Sequence, residues 1–386
     1  MSSPVFRSLV GQEAAIAQLE RALTSNETGN EMTHAWLFTG PPGSGRSVTA
    51  LSFAAALVCK KRGCGECSDC STALAGTHQD VEIMKIDGLT IKVDEIREVV
   101  SRASWTTSTS NWRVIVVEDS DRMTESAANA LLKSLEEAGS STVWLLSAPS
   151  PDDVLPTIRS RCRQVQLRIP TTTEIKDFLI STLNSTPQEA EQAARISQGH
   201  IGKARAFIKD KGLKESRRLI FEILLDATTE SKAISAASKI IELAEERVAA
   251  KLTEELEKEI QEAKNIYQGT SRGLISGGSK TLKELEREQK LKTTRATKDE
   301  IDSYLLDYTS FLRDCLLVNG PWINAEVSEQ IKTFQSRKSQ EDLSQLLTLI
   351  SNSRAKLATN ASQSLVLEAL FLSFAQSKSG KEHPIS

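Results

Sequence analysis

Three glycines and a serine between Trp36 and Ser47 have the types and spacing of a loop that binds the phosphates of a nucleotide. The pattern of such loops is G-x-x-x-x-G-K-[ST], in which backbone N–H groups of the turn and of the following helix point at a polyphosphate. Gly40 and Gly45 keep that spacing, and the hydroxyl of Ser47 could bind Mg²⁺. The candidate nucleotide-binding residues of this loop are Gly40, Gly43, Ser44, Gly45, Arg46, Ser47 and Val48.

Position 46 departs from the pattern, because it holds an arginine where the pattern has a lysine. A lysine ammonium is a compact point charge, whereas a guanidinium is a longer planar fork, so the exchange is not conservative in such a loop. The sequence therefore supports the architecture of the loop but not the turnover of a nucleotide. The alternative is a strand, turn and helix that keep the glycines for shape and bind nothing.

Two adjacent acids, Glu118 and Asp119, follow the continuous apolar run from Val114 to Val117. Such a run predicts a strand that is buried on both faces of a parallel sheet. Acids at the carboxyl end of that strand would lie beside the phosphate loop, where one can hold Mg²⁺ and another can orient water. The alternative is a pair of solvated loop acids.

Four of the six cysteines, Cys59, Cys64, Cys67 and Cys70, have the spacing C-x4-C-x2-C-x2-C. Zinc is held tetrahedrally by four thiolates, and a C-x2-C turn presents two sulfurs to one ion. In a reducing compartment such a cluster indicates metal before disulfides, and the alternative is a chance run of free thiols. Because four thiolates leave no open position for a substrate, the predicted zinc is structural.

Strands and helices alternate along the first part of the chain, and they must position these residues. Apolar runs predict strands at 36–39, 81–86, 114–117, 143–146 and 165–167, with helical patterns between them. This alternation predicts an α/β fold, namely a doubly wound parallel sheet covered by helices on both faces.

Beyond Pro170 the predicted secondary-structure elements are all helices. Two capping boxes, at 171–174 and 186–189, predict a small three-helix unit. Further on, apolar stripes predict core-facing helices, of which one stripe consists of Ile234, Ala237, Ile241 and Ala244. The segment 245–300 is dense in charges of both signs, which favours an exposed helical pair with a flexible tip, and the tail 377–386 is predicted to be disordered.

Composition limits the class of protein. The 386 residues allow two or three domains, and 39% apolar with 26% charged residues is ordinary for a soluble protein. A net charge of −3 provides no overall field that would attract nucleic acid. The sequence begins without an apolar signal core and contains no apolar run that could cross a bilayer, which predicts a cytoplasmic protein.

Together these motifs resemble the delta-prime subunits of the bacterial DNA polymerase III clamp loader, a family of AAA+ proteins. The resemblance is strong over residues 1–210 and rests on helical character alone beyond them. The motifs that carry it are Val10-Gly11-Gln12, the run His34–Phe38, the four-cysteine segment, the run Glu118–Met123, the leucine-rich block Ala127–Glu137 and Ser160-Arg161-Cys162.

The resemblance implies an AAA+ P-loop domain over 1–169 with a zinc module at 59–70, a helical lid over 170–211, and a helical collar over 212–386 that assembles a pentamer. It implies a protein that helps to load the sliding clamp on primed DNA as part of the polymerase holoenzyme. The partners implied are tau/gamma motor subunits and the delta subunit. It also implies that Arg161 is an arginine finger acting in trans on the ATP of a motor subunit. Without the resemblance, Arg161 would be interpreted as a surface arginine that pairs with a local acid.

Three departures from the motor subunits indicate a weak or absent ATPase activity. They are Arg46, the order Glu118-Asp119 in place of Asp-Glu, and Gly202 where motor subunits place a sensor arginine. The cofactors expected are therefore structural zinc and, with less support, ATP with Mg²⁺. Two alternatives stay open: an ATP-hydrolysing motor subunit of the same loader, and a zinc-dependent nucleic-acid-binding module built on an inactive AAA+ fold.

Overall fold

The computed structural model describes residues 3–25, 32–84, 90–103, 105, 107–136, 141–268, 277–317, 320–357 and 361–376, without the side chains of 211, 253–289 and 291. The chain forms two compact units, Met1–Ile208 and Lys209–Ser386. Residues 269–276, in the predicted flexible tip of the charged segment, lie outside the described residues. The predicted disordered tail of the chain, 377–386, lies outside them as well.

The first unit is built on a five-stranded sheet whose paired strands all run parallel, in the order β2-β3-β4-β1-β5. The strands are β1 (Ala35–Thr39), β2 (Val81–Met84), β3 (Arg113–Val117), β4 (Thr142–Ala148) and β5 (Arg163–Gln166). Every residue of β1, β3 and β4 is buried, as expected for strands covered on both faces. The predicted α/β sheet is therefore confirmed, with strand ends that differ from the prediction by at most two residues.

Helices cover both faces of this sheet. They are α1 (Glu13–Ser25), α2 (Arg46–Val58), α3 (Ser68–Ala75), α4 (Val93–Ala103), α5 (Glu125–Glu136) and the short α6 (Pro156–Arg159). Because side chains alternate along a strand, Trp36 packs with α2 in one core while Leu37 packs with α4 and α5 in the other. The ring of Trp36 meets the ring of Phe53 on α2 edge to face, with centroids 5.1 Å apart.

The loop before β3 is held by the fully buried carboxylate of Asp80. This carboxylate accepts hydrogen bonds from the backbone N–H groups of Ser108, Thr109 and Ser110, at 2.7, 2.9 and 2.9 Å. Burial alone would raise the pKa of Asp80, but these donors stabilise the charged form and lower the pKa to about 2. The loop therefore depends on an ionised aspartate.

Three further helices complete the first unit: α7 (Thr172–Leu183), α8 (Pro187–Ser197) and α9 (Ile201–Lys209). Both predicted capping boxes are present, with Thr171 bonded to Glu174 and Thr186 bonded to Glu189 at the starts of α7 and α8. The three-helix lid is thus built as the capping pattern predicts, and its separation from the sheet as a domain of its own stays a prediction.

The second unit is entirely helical in its described residues. Its helices are α10 (Lys211–Asp226), α11 (Glu230–Gln268), α12 (Gly277–Leu316), α13 (Ser328–Arg337), α14 (Gln340–Leu357) and α15 (Gln363–Gln376). The charged segment lies on the long helices α11 and α12, which contact each other. None of the helices in the described part of the chain is long and apolar enough to span a membrane.

The stripe predicted for α11 is confirmed at Ala237 and Ala244, which are buried in the core, and wrong at its two isoleucines. Ile234 is 48% exposed and Ile241 is only partly buried, whereas Ala233 and Ile240 are fully buried in the core. Alanines of α11 face the core because α15 packs against α11, and small residues allow two helices to approach closely. The larger isoleucine at 234 is left at the surface.

Candidate functional sites

The glycine turn between β1 and α2 has the backbone conformation of a phosphate loop. Gly43 and Gly45 have φ of +91° and +87°, a region that glycine occupies without strain. Gly45 is the N-cap of α2 and offers no side-chain cap, so the first N–H groups of the helix have no side-chain acceptor at that position. Ser44 is buried, and its hydroxyl has no hydrogen-bond partner among the described residues. This turn could hold an anion.

Arg46, the first residue of α2, folds back into this turn. Its Nη1 donates a hydrogen bond to the carbonyl oxygen of Gly40, and its Nη2 lies 3.5 Å from Oδ1 of Asp119. The Arg46 side chain is only 14% exposed. The guanidinium thus occupies its own loop and neutralises an acid that would otherwise be available for Mg²⁺.

The acids at the end of β3 meet the loop as predicted, but only one of them is paired with it. Asp119 has a left-handed backbone (φ +47°), and its N–H donates to the hydroxyl of Ser147 on β4 at 3.3 Å. Glu118 is half-buried, and its N–H donates to the carbonyl oxygen of Met84 at 3.4 Å. Nearby, burial and the charge of Asp119 raise the pKa of Asp121. Asp119 therefore lies beside two cations, because its Oδ1 is near Arg46 and its Oδ2 is 3.9 Å from Nη2 of Arg122.

The remaining predicted loop residues lie at the start of α2. Ser47 is half-buried, and Val48 is 46% exposed on the first turn of the helix. Neither side chain contributes to the contact between Arg46 and Asp119, so no described contact assigns either of them a role.

Gln12 belongs to this site, although the sequence indicates it only as part of the Val10-Gly11-Gln12 motif. It is 4% exposed, and its Nε2 donates to the carbonyl oxygens of Ser44 at 3.2 Å and Arg168 at 2.7 Å. Its Oε1 accepts from the N–H of Arg168 at 3.2 Å. Gln12 thus joins the glycine turn to the segment that follows β5. The signal for it is the Val-Gly-Gln sequence, in which Gly11 (φ +69°) ends the chain's first turn before α1.

The start of α9 lies over the turn. A Cβ placed on Gly43 would come within 3.5 Å of the Cα of His200. Burial lowers the pKa of His200, and the nearby charge of Lys203 lowers it further. Gly202 and Lys203 are exposed and Arg205 is half-buried, so position 202 offers the turn no cation.

The four cysteines converge between α2 and α3. Their sulfur atoms all lie within 4.8 Å of one another, and Sγ of Cys59 is 3.7 Å from that of Cys64 and 3.6 Å from that of Cys67. Sulfurs bound to one zinc ion at about 2.3 Å would be about 3.8 Å apart, as the edges of a tetrahedron. Cys70 is fully buried and completes the group. The spacing of the thiols therefore fits zinc.

Backbone N–H groups support the thiolate form of Cys64 in this cluster, whereas burial raises the pKa values of Cys67 and Cys70. The N–H groups of Glu66 and Cys67 lower the pKa of Cys64 to about 6. Sγ of Cys70 accepts from the N–H of Gly65 at 3.4 Å, and Gly65 has φ of +78°. The cysteine module contacts the 3-10 helix Pro4–Ser8. The N–H of Val5 donates a hydrogen bond of 3.2 Å to the carbonyl oxygen of Gly63. These contacts make the cluster part of the fold.

Arg161 lies apart from the loop and from the cysteines, just after α6. Its Nη1 donates to the carbonyl oxygen of Thr157 at 2.9 Å, and its Nη2 forms an ion pair with Glu136 at the end of α5. The side chains of Arg161 and Glu136 are 37% and 49% exposed. In this chain the arginine thus pairs with a local acid and still reaches the surface.

The parallel sheet, the glycine turn into α2 and the acids at the end of β3 give the first unit the architecture of a P-loop domain. Residues 11–171 match the family model described as DNA polymerase III, delta subunit. The chain is 35% identical over 217 residues to the DNA polymerase III subunit delta′ of Pseudomonas aeruginosa, which covers 54% of this chain and 66% of the relative. It is 30% identical over 197 residues to the delta′ subunit of Bacillus subtilis, and this match covers 50% of this chain and 59% of the relative. These matches confirm the resemblance to delta′ subunits over about half of the chain.

The chain is also similar to proteins named for the gamma or tau subunit of DNA polymerase III. The gamma/tau subunit of Mycobacterium tuberculosis is 32% identical over 169 residues, covering 42% of this chain and 28% of the relative. A solved Thermotoga maritima protein described as DNA polymerase III, gamma subunit-related is 18% identical with a TM-score of 0.46, covering 93% of this chain and 99% of that one. The chain spans three fifths to two thirds of the length of the delta′ relatives above.

Proposed function

We propose that this chain is the delta′-type subunit of a bacterial clamp loader, which helps to place the sliding clamp on primed DNA without being a motor itself. The observation that carries the proposal is the pairing of Arg46 with Gly40 and Asp119 in a domain that otherwise resembles loader subunits. A subunit of this kind contributes shape and an arginine to the complex, and its partners supply the ATP turnover.

The fold implies a nucleotide with Mg²⁺, and the residues fit these ligands only in part. The glycine turn and the orphaned hydroxyl of Ser44 suit a phosphate. Arg46 does not suit a phosphate, because it points at the carbonyl oxygen of its own loop. Asp119 does not suit Mg²⁺, because its charge is already neutralised by Arg46. We therefore expect negligible ATP hydrolysis by the isolated chain. For Ser47, Val48 and Glu118 we propose a role in nucleotide binding only.

A motor subunit is the second candidate, favoured by the spacing of Gly40 and Gly45 and by the similarity to gamma/tau subunits. A single-turnover assay on the isolated chain separates the two. Hydrolysis near 1 s⁻¹, in the range of slow enzymes, that is abolished by Ser47→Ala would favour the motor. Hydrolysis at the rate of the buffer would favour the delta′ role.

Arg161 is the residue through which we expect the chain to act on a partner. A guanidinium beside the γ-phosphate stabilises the charge that spreads over its equatorial oxygens, and fingers of this kind contribute about 10³–10⁵ in rate. The half-exposed position of Arg161 after α6 supports a role outside its own loop. The partners proposed are the tau/gamma motor subunits and the delta subunit in a hetero-pentamer, with the second, helical unit as its collar.

The cysteine module has a structural role in this proposal. Four thiolates complete the coordination of zinc, so the ion would fix the segment between α2 and α3 and would take no part in ATP hydrolysis. Co-purification tests the assembly: the tagged chain should retain motor and delta subunits on a column, and recovery of the chain alone from their mixture would contradict the proposal.

A further inference from the structure

The ion pair of Arg161 joins two elements that the core holds in place. Glu136 is the last described residue of α5, and Arg161 follows α6 by two residues. Leu135 on α5 and Ile158 on α6 are buried in the same hydrophobic cluster, at 7% and 0% exposure. The packed helices thus hold the backbone of Glu136 and the chain just before Arg161 in place.

The contacts of Arg161 within the chain use the groups that a phosphate would need. Nη1 donates to the carbonyl oxygen of Thr157 at 2.9 Å and lies 3.4 Å from the hydroxyl of Ser160, while Nη2 is bonded to Glu136. A guanidinium offers five N–H donors and a single positive charge. The donors are not exhausted by these contacts, but the charge is neutralised by the carboxylate.

We propose that Glu136 is a positioning residue that holds Arg161 in a resting state, from which the guanidinium must be released before it serves a neighbour's nucleotide. This inference rests on the proposed trans role of Arg161. A carboxylate that stayed paired with the guanidinium would lie beside the incoming γ-phosphate. The negative charges of the carboxylate and the phosphate would then repel each other. The γ-phosphate and Glu136 therefore compete for one cation, and the idle loader keeps the arginine on Glu136.

The exposure of the pair limits the size of the effect. Half-exposed ion pairs contribute about 0–1 kcal/mol, which corresponds to at most about a fivefold change in an equilibrium. Glu136→Gln keeps the size and an acceptor oxygen of the side chain while it removes the charge. Glu125→Gln is the matched control, because Glu125 is exposed at the other end of α5 and has no ion-pair partner among the described residues.

The test measures ATP turnover by loader reconstituted from wild-type motor and delta subunits and one variant of this chain, without DNA and with primed DNA. Glu136→Gln should raise turnover without DNA about two- to fivefold and change turnover on primed DNA less. Glu125→Gln should match the wild type, and Glu136→Gln combined with Arg161→Ala should match Arg161→Ala alone.

Turnover without DNA that is unchanged or lower in Glu136→Gln, at an unchanged melting temperature, would overturn the inference. An increase that persists in the Arg161→Ala background would overturn it as well, because the effect would then not act through Arg161. If Arg161→Ala alone has wild-type turnover, the trans role itself fails, and that result is visible in the single variant without reference to Glu136.

Discussion

Replacing Cys67 with serine should remove one zinc ion from each chain and destabilise the first unit. The sulfurs of Cys64 and Cys67 lie 3.7 and 3.6 Å from that of Cys59, close to the spacing in a tetrahedral zinc site, and loss of one thiolate leaves an incomplete site. Even residues that only support metal ligands contribute 10- to 100-fold in affinity, so loss of a ligand should cost at least about 100-fold.

The stability effect follows from linkage between binding and folding. A ligand present at about 1,000 times its dissociation constant stabilises the folded state by about 4 kcal/mol. In a unit of about 200 residues, each kcal/mol shifts the melting temperature by about 2–4 °C. We therefore expect Cys67→Ser to melt up to about 8–16 °C below the wild type, with the second, helical unit unaffected.

The assay combines metal analysis of freshly purified, reduced protein with calorimetry. Wild type and Cys162→Ser should each carry one zinc per chain, since Cys162 is a buried thiol outside the cluster. Chelation of wild-type zinc should lower the melting temperature to that of Cys67→Ser. Wild-type protein without stoichiometric zinc, or Cys67→Ser with a full complement, would refute the reasoning.

Substitutions at three other residues test the fold and the loop. Asp80→Asn should cost about 2 kcal/mol of unfolding free energy near neutral pH. Because the folded pKa of Asp80 lies below the unfolded value, its contribution is present above about pH 4 and is lost as the pH falls toward 2, so urea unfolding should show the difference from wild type shrinking over that range. Gln12→Leu leaves two carbonyls and one N–H without their buried partner and should cost about 2–4 kcal/mol in the same assay, a value under 0.5 kcal/mol being contrary to the structure. Arg46→Lys restores the loop pattern and should tighten binding of a fluorescent ATP analogue about tenfold or more, whereas Arg46→Ala should not, and equal binding by all three proteins would contradict the view that Arg46 blocks the loop.

Features that depend on neighbours in sequence could be predicted from the sequence alone. The capping boxes at 171–174 and 186–189 are present because each involves residues three apart on one helical turn. The cysteine cluster could be predicted for the same reason, since all four thiols lie within one short segment. The buried strands followed from continuous apolar runs, which have few other uses in a soluble chain.

Features that depend on distant residues could not be predicted in this way. The bonds of Gln12 to Arg168 join residues that are 156 positions apart, and the sequence gives no sign of that pairing. The turn of Arg46 toward Asp119 depends on the order of the strands, which places the end of β3 near the loop. The face of α11 was misjudged because Ile234 looks more apolar than Ala233, while close packing against α15 favours the smaller residue.

The central claim is that the chain acts on a partner's nucleotide through Arg161, and one measurement tests it most directly. Loader is reconstituted from wild-type motor and delta subunits with Arg161→Ala as the only change, and ATP turnover and clamp placement on primed DNA are measured together. Turnover at the site that Arg161 serves should fall by about 10³-fold or more with assembly intact, and Arg161→Lys should restore little, because an ammonium cannot make two parallel hydrogen bonds. Arg159→Ala is the matched control, since Arg159 ends α6 two residues before Arg161, pairs with Asp152 at 2.5 Å and should leave both rates unchanged when it is replaced. Wild-type turnover and clamp placement by the Arg161→Ala loader would contradict the account.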